Sequence, residues 1–203
     1  MIDSEKLLED NSLPKVSDYT RWKLLEDRII CFDKFVDDRI FKFERLILMW
    51  NMEDAKANIP PEKRKPIKLV MMNYGGNADF MWSFVDVVKL SKTPVYTYNM
   101  GLCASAASII FITGHKRFMM PGATILFHEG NGAFEGEATK VIDDVEAYKD
   151  MVKKMNDYIV ERTGISKQVM SRKKNNNWII DSKFCIENKV CDKIIESLDD
   201  ILM

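Results

Sequence analysis

Two serines that are candidates for nucleophilic chemistry, Ser105 and Ser108, lie in the segment GLCASAASIIFITG at residues 101–114. The apolar run after Ser105 predicts a helix. The first turn of a helix offers unpaired N–H groups and a positive dipole end that favour an alkoxide and an oxyanion. A serine among alanines is also typical of a helix that packs closely in a core. Both interpretations of Ser105 stay open from these residues, whereas Ser108, one turn later, is interpreted as a packing residue.

A serine nucleophile needs a base, and the chain contains two histidines. His115 lies in the polar sequence GHKRF, which favours a solvent-facing or partner-facing role. His128 ends the apolar strand pattern TILFH, so its imidazole is expected to point from a rigid strand into a cleft. Glu129 has the right charge to orient this imidazole, but adjacent strand residues point to opposite faces. His128 is therefore the candidate base.

Paired glycines, Gly75 and Gly76, follow the buried strand pattern IKLVMM. Without a Cβ, such residues let backbone N–H groups approach a ligand closely and donate to a developing oxyanion. A glycine pair is equally typical of a simple turn. The residues alone leave both interpretations open.

The elements that must position these residues alternate between strand and helix patterns. Strand patterns occur at residues 28–32, 67–72, 94–100, 117–120 and 124–128, and helical periodicity at 36–53, 80–88, 105–113 and 137–162. Alternation of this kind predicts an α/β fold with a mainly parallel sheet covered on both faces. Ligands bind beyond the carboxyl ends of such strands, and the glycine pair, Ser105 and His128 all follow predicted strands.

Composition indicates an ordinary globular domain. The 203 residues are 46% hydrophobic and carry a net charge of −1, so we expect neither a nucleic-acid partner nor an anionic membrane surface as a partner. The four cysteines show no CxxC spacing and are interpreted as reduced thiols, with no metal site and no cofactor expected. The acidic opening residues lack a signal-peptide pattern, and no apolar run reaches the roughly 18 residues of a membrane span. We therefore expect a cytoplasmic protein.

Several motifs together resemble the Clp protease proteolytic subunit, ClpP, a self-compartmentalising serine peptidase family of the crotonase-like fold with repeated β-β-α units. NYGG at residues 73–76 resembles the family's Ser-Pro-Gly-Gly oxyanion turn, and residues 100–105 resemble its Met-Gly-x-Ala-Ala-Ser nucleophile segment. KRFMMPGATILFH at residues 116–128 is similar to the stretch that leads to the catalytic histidine. The resemblance implies an N-terminal arm at 1–27 and a peptidase domain at 28–203, which includes a protruding strand-helix handle at 130–162.

The resemblance also implies roles for individual residues. Ser105 is the nucleophile, His128 is the general base and later the acid, and the N–H groups of Gly76 and Ala106 form the oxyanion hole. The nucleophile precedes the histidine in the chain, unlike in chymotrypsin-like enzymes, and no Gly-x-Ser-x-Gly sequence surrounds Ser105.

Asn177 occupies the position where the family's third triad member, an aspartate, is expected. An amide orients an imidazole but supplies no negative charge, and in a chymotrypsin-type triad the change from Asp to Asn lowers kcat by about 10⁴. Asp181, four residues later, is a possible substitute, although it more naturally caps the following helix. Two further departures are Tyr74, where the family has proline in the glycine turn, and Lys68, where it has an aromatic residue on the strand that docks an unfoldase.

The resemblance implies a serine endopeptidase subunit that cleaves peptides or unfolded proteins inside an oligomeric chamber through an acyl-enzyme. Its implied partners are further copies of the same chain in stacked rings and an AAA+ unfoldase. The alternative is a catalytically weak or inactive structural subunit, which Asn177 favours. A crotonase-type acyl-CoA enzyme would share the fold and the oxyanion turn, but it matches the segments around Ser105 and His128 less well.

Overall fold

A computed structural model describes residues 16–173 and 177–202 as helices and strands in alternation. The helices are α1 (Val16–Glu26), α2 (Phe41–Lys56), α3 (Ala78–Leu90), α4 (Ala106–Thr113), α5 (Ala138–Arg162), α6 (Lys167–Lys173), α7 (Ser182–Glu187) and α8 (Asp199–Leu202). The strands are β1 (Ile29–Phe32), β2 (Ile67–Asn73), β3 (Val95–Ala104), β4 (Lys116–Met119), β5 (Thr124–Phe127), β6 (Trp178–Asp181) and β7 (Lys193–Ile194). Short 3-10 turns occupy Asp38–Ile40 and Pro61–Lys63.

The strands form one seven-stranded sheet in the order β1-β2-β3-β4-β7, with β5 attached to β3 and β6 attached to β5. The pairs along the main path and the β3–β5 pair are parallel, and only β5 and β6 run antiparallel to each other. The predicted α/β class with a mainly parallel sheet is confirmed.

The long strand β3 changes its neighbour halfway along. Its residues 96–99 pair with β4, whereas residues 102–104 pair with β5. The buried side chain of Asn99 stabilises this change, because its amide donates to the Thr124 carbonyl at 2.8 Å and accepts from the Gly101 N–H at 3.1 Å. The end of β3, and Ser105 after it, are thereby placed beside the end of β5.

Helix α4 is the central element of the core. All eight of its residues are buried, as expected for a helix that is apolar on all sides. It starts directly after β3 and lies between the sheet and helices α3 and α5. Ser105, the first residue after β3, is therefore held in position by a fully buried helix.

Helix α1 was not predicted from the sequence. Residues 16–26 of the proposed N-terminal arm form this helix, although none of its side chains is buried and Trp22 is 70% exposed. A helix without a buried face gives no apolar periodicity to detect. Residues 1–15 of the arm lie outside the described residues.

The handle is present in part. Its helix, α5, spans 25 residues, of which only Tyr158 and Ile159 near the end are buried. Among the described residues, the preceding segment at 130–136 has no strand assignment, so the strand of the handle that the resemblance implied stays a prediction. A strand needs a hydrogen-bonding neighbour, and the described residues supply none to this segment. No helix within the two described ranges is both long enough and apolar enough to cross a membrane.

Candidate active site

The carboxyl ends of β2, β3 and β5 surround a cleft of about 410 Å³. Gly76, Ser105, Ala106 and His128 all line it, so the structure brings together the four residues that the sequence proposed as nucleophile, base and oxyanion donors. These residues are up to 52 positions apart in the chain, and parallel strands place them at one edge of the sheet.

Ser105 forms a sharp turn between β3 and α4. Its backbone has φ 56° and ψ −129°, a sparsely populated conformation for a residue with a Cβ. Its N–H donates to the Leu126 carbonyl of β5 at 2.9 Å, and its carbonyl accepts from the Ser108 hydroxyl at 2.6 Å. A strained strand-to-helix turn of this kind presents a serine hydroxyl at the top of a sheet in nucleophile elbows. Ser108 is buried and holds the start of α4, in agreement with the predicted packing role.

The glycine turn lies against Ser105. Gly75 has φ +96°, and a Cβ built on it would lie 2.7 Å from the Ser105 Cβ and 2.7 Å from the Ala104 carbonyl oxygen. A Cβ on Gly76 would lie 2.3 Å from the Val36 carbonyl oxygen. Both positions are therefore open only to glycine, and the turn packs against Ser105 instead of being a simple surface connection.

The N–H groups of Gly76 and Ala106 are available in this cleft. Val36 donates to the Gly75 carbonyl at 2.9 Å and accepts from the Asn77 N–H at 2.8 Å, so the N–H of Gly76 points away from Val36. Ala106 is the first residue of α4, where backbone N–H groups have no partner within the helix. Among the described residues, neither N–H donates to another protein group. The pair has the composition of an oxyanion hole.

His128 follows β5 and is half-buried. Partial burial lowers the pKa of its imidazole below the ordinary value of 6.5, because desolvation disfavours the charged form. The next residue is fixed by the Tyr148 hydroxyl, which donates to the Glu129 carbonyl at 2.9 Å. Within the described chain the imidazole and the Ser105 hydroxyl share the cleft without a direct hydrogen bond. Such catalytic bonds are often long in unliganded enzymes and tighten when substrate binds.

The last pair of the antiparallel ladder between β5 and β6 is Phe127 and Trp178. His128 follows Phe127 in the chain, and Asn177 precedes Trp178. Asn177 itself is exposed, and the next residue, Trp178, lines the cleft.

Asp181 is placed elsewhere. It lies opposite Thr124, four residues before His128, which corresponds to about 13 Å along a strand. Its carboxylate accepts from the Phe184 N–H at 2.8 Å and so caps α7, the role that its position before a helix predicts. Asp181 therefore lies at the end of the β5–β6 ladder that is distant from His128.

Two other residues that the sequence singled out lie outside the cleft. His115 precedes β4 at the opposite end of the sheet, where its Nδ1 accepts from the Val95 N–H at 3.0 Å. Lys68 is only 2% exposed, and its ammonium group donates to the Ile201 carbonyl of α8 at 2.7 Å. The C-terminal helix therefore covers this position of β2, which the sequence did not reveal.

The deep part of the cleft is apolar. Met81, Ile109, Phe127, Met155 and Ile159 line it beneath Ser105 and His128. This surface fits an apolar side chain of a ligand. In the part of the chain that the structure describes, no three His, Cys, Asp or Glu side chains are gathered closely enough to hold a metal ion.

Comparisons with known proteins agree with this architecture. The family model described as Clp protease matches residues 14–198. The ATP-dependent Clp protease proteolytic subunit 2 of Treponema denticola is 33% identical over 139 residues, which cover 68% of this chain and 70% of that protein. The protein of the same name from Corynebacterium diphtheriae is 27% identical over 200 residues, covering 97% and 96% of the two chains.

A solved structure shares the fold. The structure of an Asn-to-Asp mutant of ClpP1 from Listeria monocytogenes superposes with a TM-score of 0.75 at 19% identity, covering 89% of this chain and 98% of that one. The resemblance that the sequence motifs indicated is confirmed by these matches.

Proposed function

This chain belongs to the Clp protease family, and on that premise we propose that it is a serine endopeptidase with Ser105 as nucleophile and His128 as base. The observation that carries this proposal is the placement of Ser105. It lies at a positive-φ turn between strand and helix, in one cleft with His128 and with the free N–H groups of Gly76 and Ala106.

The proposed reaction is acyl transfer to Ser105. His128, which its lowered pKa keeps neutral, accepts the hydroxyl proton as the serine oxygen attacks the peptide carbonyl. The N–H groups of Gly76 and Ala106 stabilise the resulting oxyanion. The imidazolium then protonates the leaving amine, and a water molecule activated by His128 hydrolyses the acyl-enzyme.

Asn177 is proposed to orient the base. Its amide oxygen accepts the imidazole N–H that does not face Ser105, which keeps the productive tautomer. An uncharged amide stabilises the imidazolium less than a carboxylate does, so turnover is slow compared with a Ser-His-Asp triad.

The proposed substrates are peptides or unfolded protein segments. The apolar floor of the cleft fits an apolar side chain next to the scissile bond, and no metal or cofactor takes part in the proposed reaction.

The proposed assembly is a homo-oligomer of stacked rings that encloses the clefts. Helix α5 is largely unburied in the single chain, with Ile142 62% exposed, and the segment at 130–136 has unpaired backbone groups. Relatives with matching sequences are named ATP-dependent, which supports an AAA+ unfoldase as a partner and a cytoplasmic location.

Asn177 also supports a second candidate, a structural subunit with little or no activity. The two candidates differ in one experiment, which combines hydrolysis of a short fluorogenic peptide with light scattering. The proposed peptidase gives an assembly several times larger than 23.6 kDa that hydrolyses the peptide. An assembly of that size without hydrolysis, in the wild type and in Asn177→Asp, identifies the structural subunit.

A further inference from the structure

The side chain of Asn73 connects two backbone segments beside the oxyanion turn. Asn73 is the last residue of β2 and is 1% exposed. Its Oδ1 accepts from the Gly75 N–H at 2.8 Å, and its Nδ2 donates to the Lys34 carbonyl. A buried amide with both ends satisfied by backbone groups fixes those groups relative to each other.

The orientation of the Gly76 N–H depends on this connection. The peptide between Gly75 and Gly76 is planar and trans, so the Gly76 N–H points opposite to the Gly75 carbonyl. Val36 holds that carbonyl through a 2.9 Å hydrogen bond, and Asn73 holds the N–H on the other side of the Gly75 Cα. Both peptides that flank Gly75 are therefore fixed, at a residue whose backbone is otherwise free to rotate.

Tyr74 makes this side-chain contact more important. The Ser-Pro-Gly-Gly turn that NYGG resembles has a proline at this position, whose ring restricts the backbone. Tyr74 has no such ring and is 64% exposed. A hydrogen bond that an Asn side chain accepts from the N–H two residues later restricts a turn in another way.

We propose that Asn73 is a positioning residue for the oxyanion hole. Its side chain fixes the Tyr74–Gly75 peptide and, through the Lys34 carbonyl, the segment whose Val36 holds the Gly75–Gly76 peptide, so that the Gly76 N–H faces the substrate carbonyl at Ser105. The inference rests on the proposed peptidase function for its kinetic consequences. The fixed conformation of the turn is independent of activity.

The kinetic test compares Asn73→Ala with Asn51→Ala. Asn51 is a matched control, because its Oδ1 also accepts from backbone N–H groups, at 3.0 and 3.1 Å, but it lies on α2 away from the cleft. For Asn73→Ala we expect kcat on a short peptide to fall by about 10- to 100-fold, less than the loss of about 10²- to 10³-fold when an oxyanion donor is removed. KM stays nearly constant, affinity for a peptide boronic acid falls in parallel with kcat, and Asn73→Ser restores part of both.

Hydrogen exchange of the assembled protein, measured by mass spectrometry on fragments that cover residues 73–77, provides a readout that needs no activity. Asn73→Ala accelerates exchange there and Asn51→Ala does not. The inference is overturned if exchange in Asn73→Ala equals that of the wild type. It is also overturned if the wild type is active and Asn73→Ala has the same kcat. A wild type without any peptidase activity, with faster exchange in Asn73→Ala, contradicts the proposed function and leaves the positioning role supported. If Asn73→Ala does not fold, the same two measurements are made on Asn73→Ser. In an active protein the inference then requires faster exchange at residues 73–77 together with a lower kcat.

Discussion

Phe127 and Trp178 lie directly opposite each other across β5 and β6, with ring centroids 6.2 Å apart. The next residue on each side of this pair is His128 on one strand and Asn177 on the other. The proposed base and the amide of Asn177 therefore both lie just beyond this end of the β5–β6 ladder, whereas Asp181 lies at its other end and caps a helix.

Asn177→Asp should raise kcat for a short fluorogenic peptide by about tenfold or more, because a carboxylate stabilises the imidazolium that forms in the transition state. KM should change little. Steady-state kinetics on assemblies of equal mass measure this effect.

Asp181→Asn is the matched control for that substitution. We expect the cap of α7 and the unfolding free energy to change little, because Asn and Asp cap helices about equally well, and kcat to stay close to that of the wild type. The opposite pattern, in which Asp181→Asn removes activity and Asn177→Asp has no effect, would assign the third position to Asp181.

The pH dependence of kcat/KM should follow His128. Since burial lowers the pKa of this imidazole, activity should rise with pH through a midpoint below 6.5 as the base loses its proton. In Asn177→Asp the new carboxylate favours the imidazolium, so the midpoint should move to higher pH. A wild-type midpoint above 6.5, or a downward shift in the variant, would argue against His128 as the base.

Gly75→Ala should abolish the oxyanion turn. The added Cβ would lie 2.7 Å from both Ser105 Cβ and the Ala104 carbonyl oxygen, at a φ of +96° that disfavours a side chain. We expect kcat to fall by about 10²-fold or more and the free energy of unfolding to fall by about 1–3 kcal/mol. Peptide hydrolysis and thermal unfolding measure the two effects.

Gly122→Ala is the control for Gly75→Ala, because a Cβ on Gly122 meets no atom within 4 Å. Both its activity and its stability should match the wild type. If Gly75→Ala and Gly122→Ala changed kcat and the free energy of unfolding equally, the proposed role of the Gly75 turn would be contradicted.

Much of the site follows from local sequence patterns. Ser105, His128 and the glycine pair each come directly after an apolar strand pattern, and the parallel sheet brings such ends together. The strain at Ser105 has only a faint signal in the sequence, namely the small residues on either side of it. Gly75, which packs against Ser105, lies 30 residues earlier in the chain, so no local pattern records this contact.

Other features depend on contacts that no local pattern records. The change of neighbour in β3 needs the hydrogen bond from Asn99 to the Thr124 carbonyl, and the burial of Lys68 needs a helix 133 residues later. Helix α1 has no buried side chain, so it lacks the periodicity by which amphipathic helices are recognised. The segment at 130–136 has a handle-like sequence but no neighbouring strand among the residues that the structure describes.

The role of Ser105 is tested most directly by a fluorophosphonate probe applied to the native assembly, with the labelled residue located by mass spectrometry. We predict one label on Ser105, because this hydroxyl alone combines the strained turn, the free N–H groups and His128. Ser105→Ala should abolish labelling, and Ser108→Ala, whose hydroxyl is bonded to the Ser105 carbonyl, should retain it. Labelling that survives Ser105→Ala, or an intact wild-type assembly that takes up no probe, would contradict the proposed nucleophile.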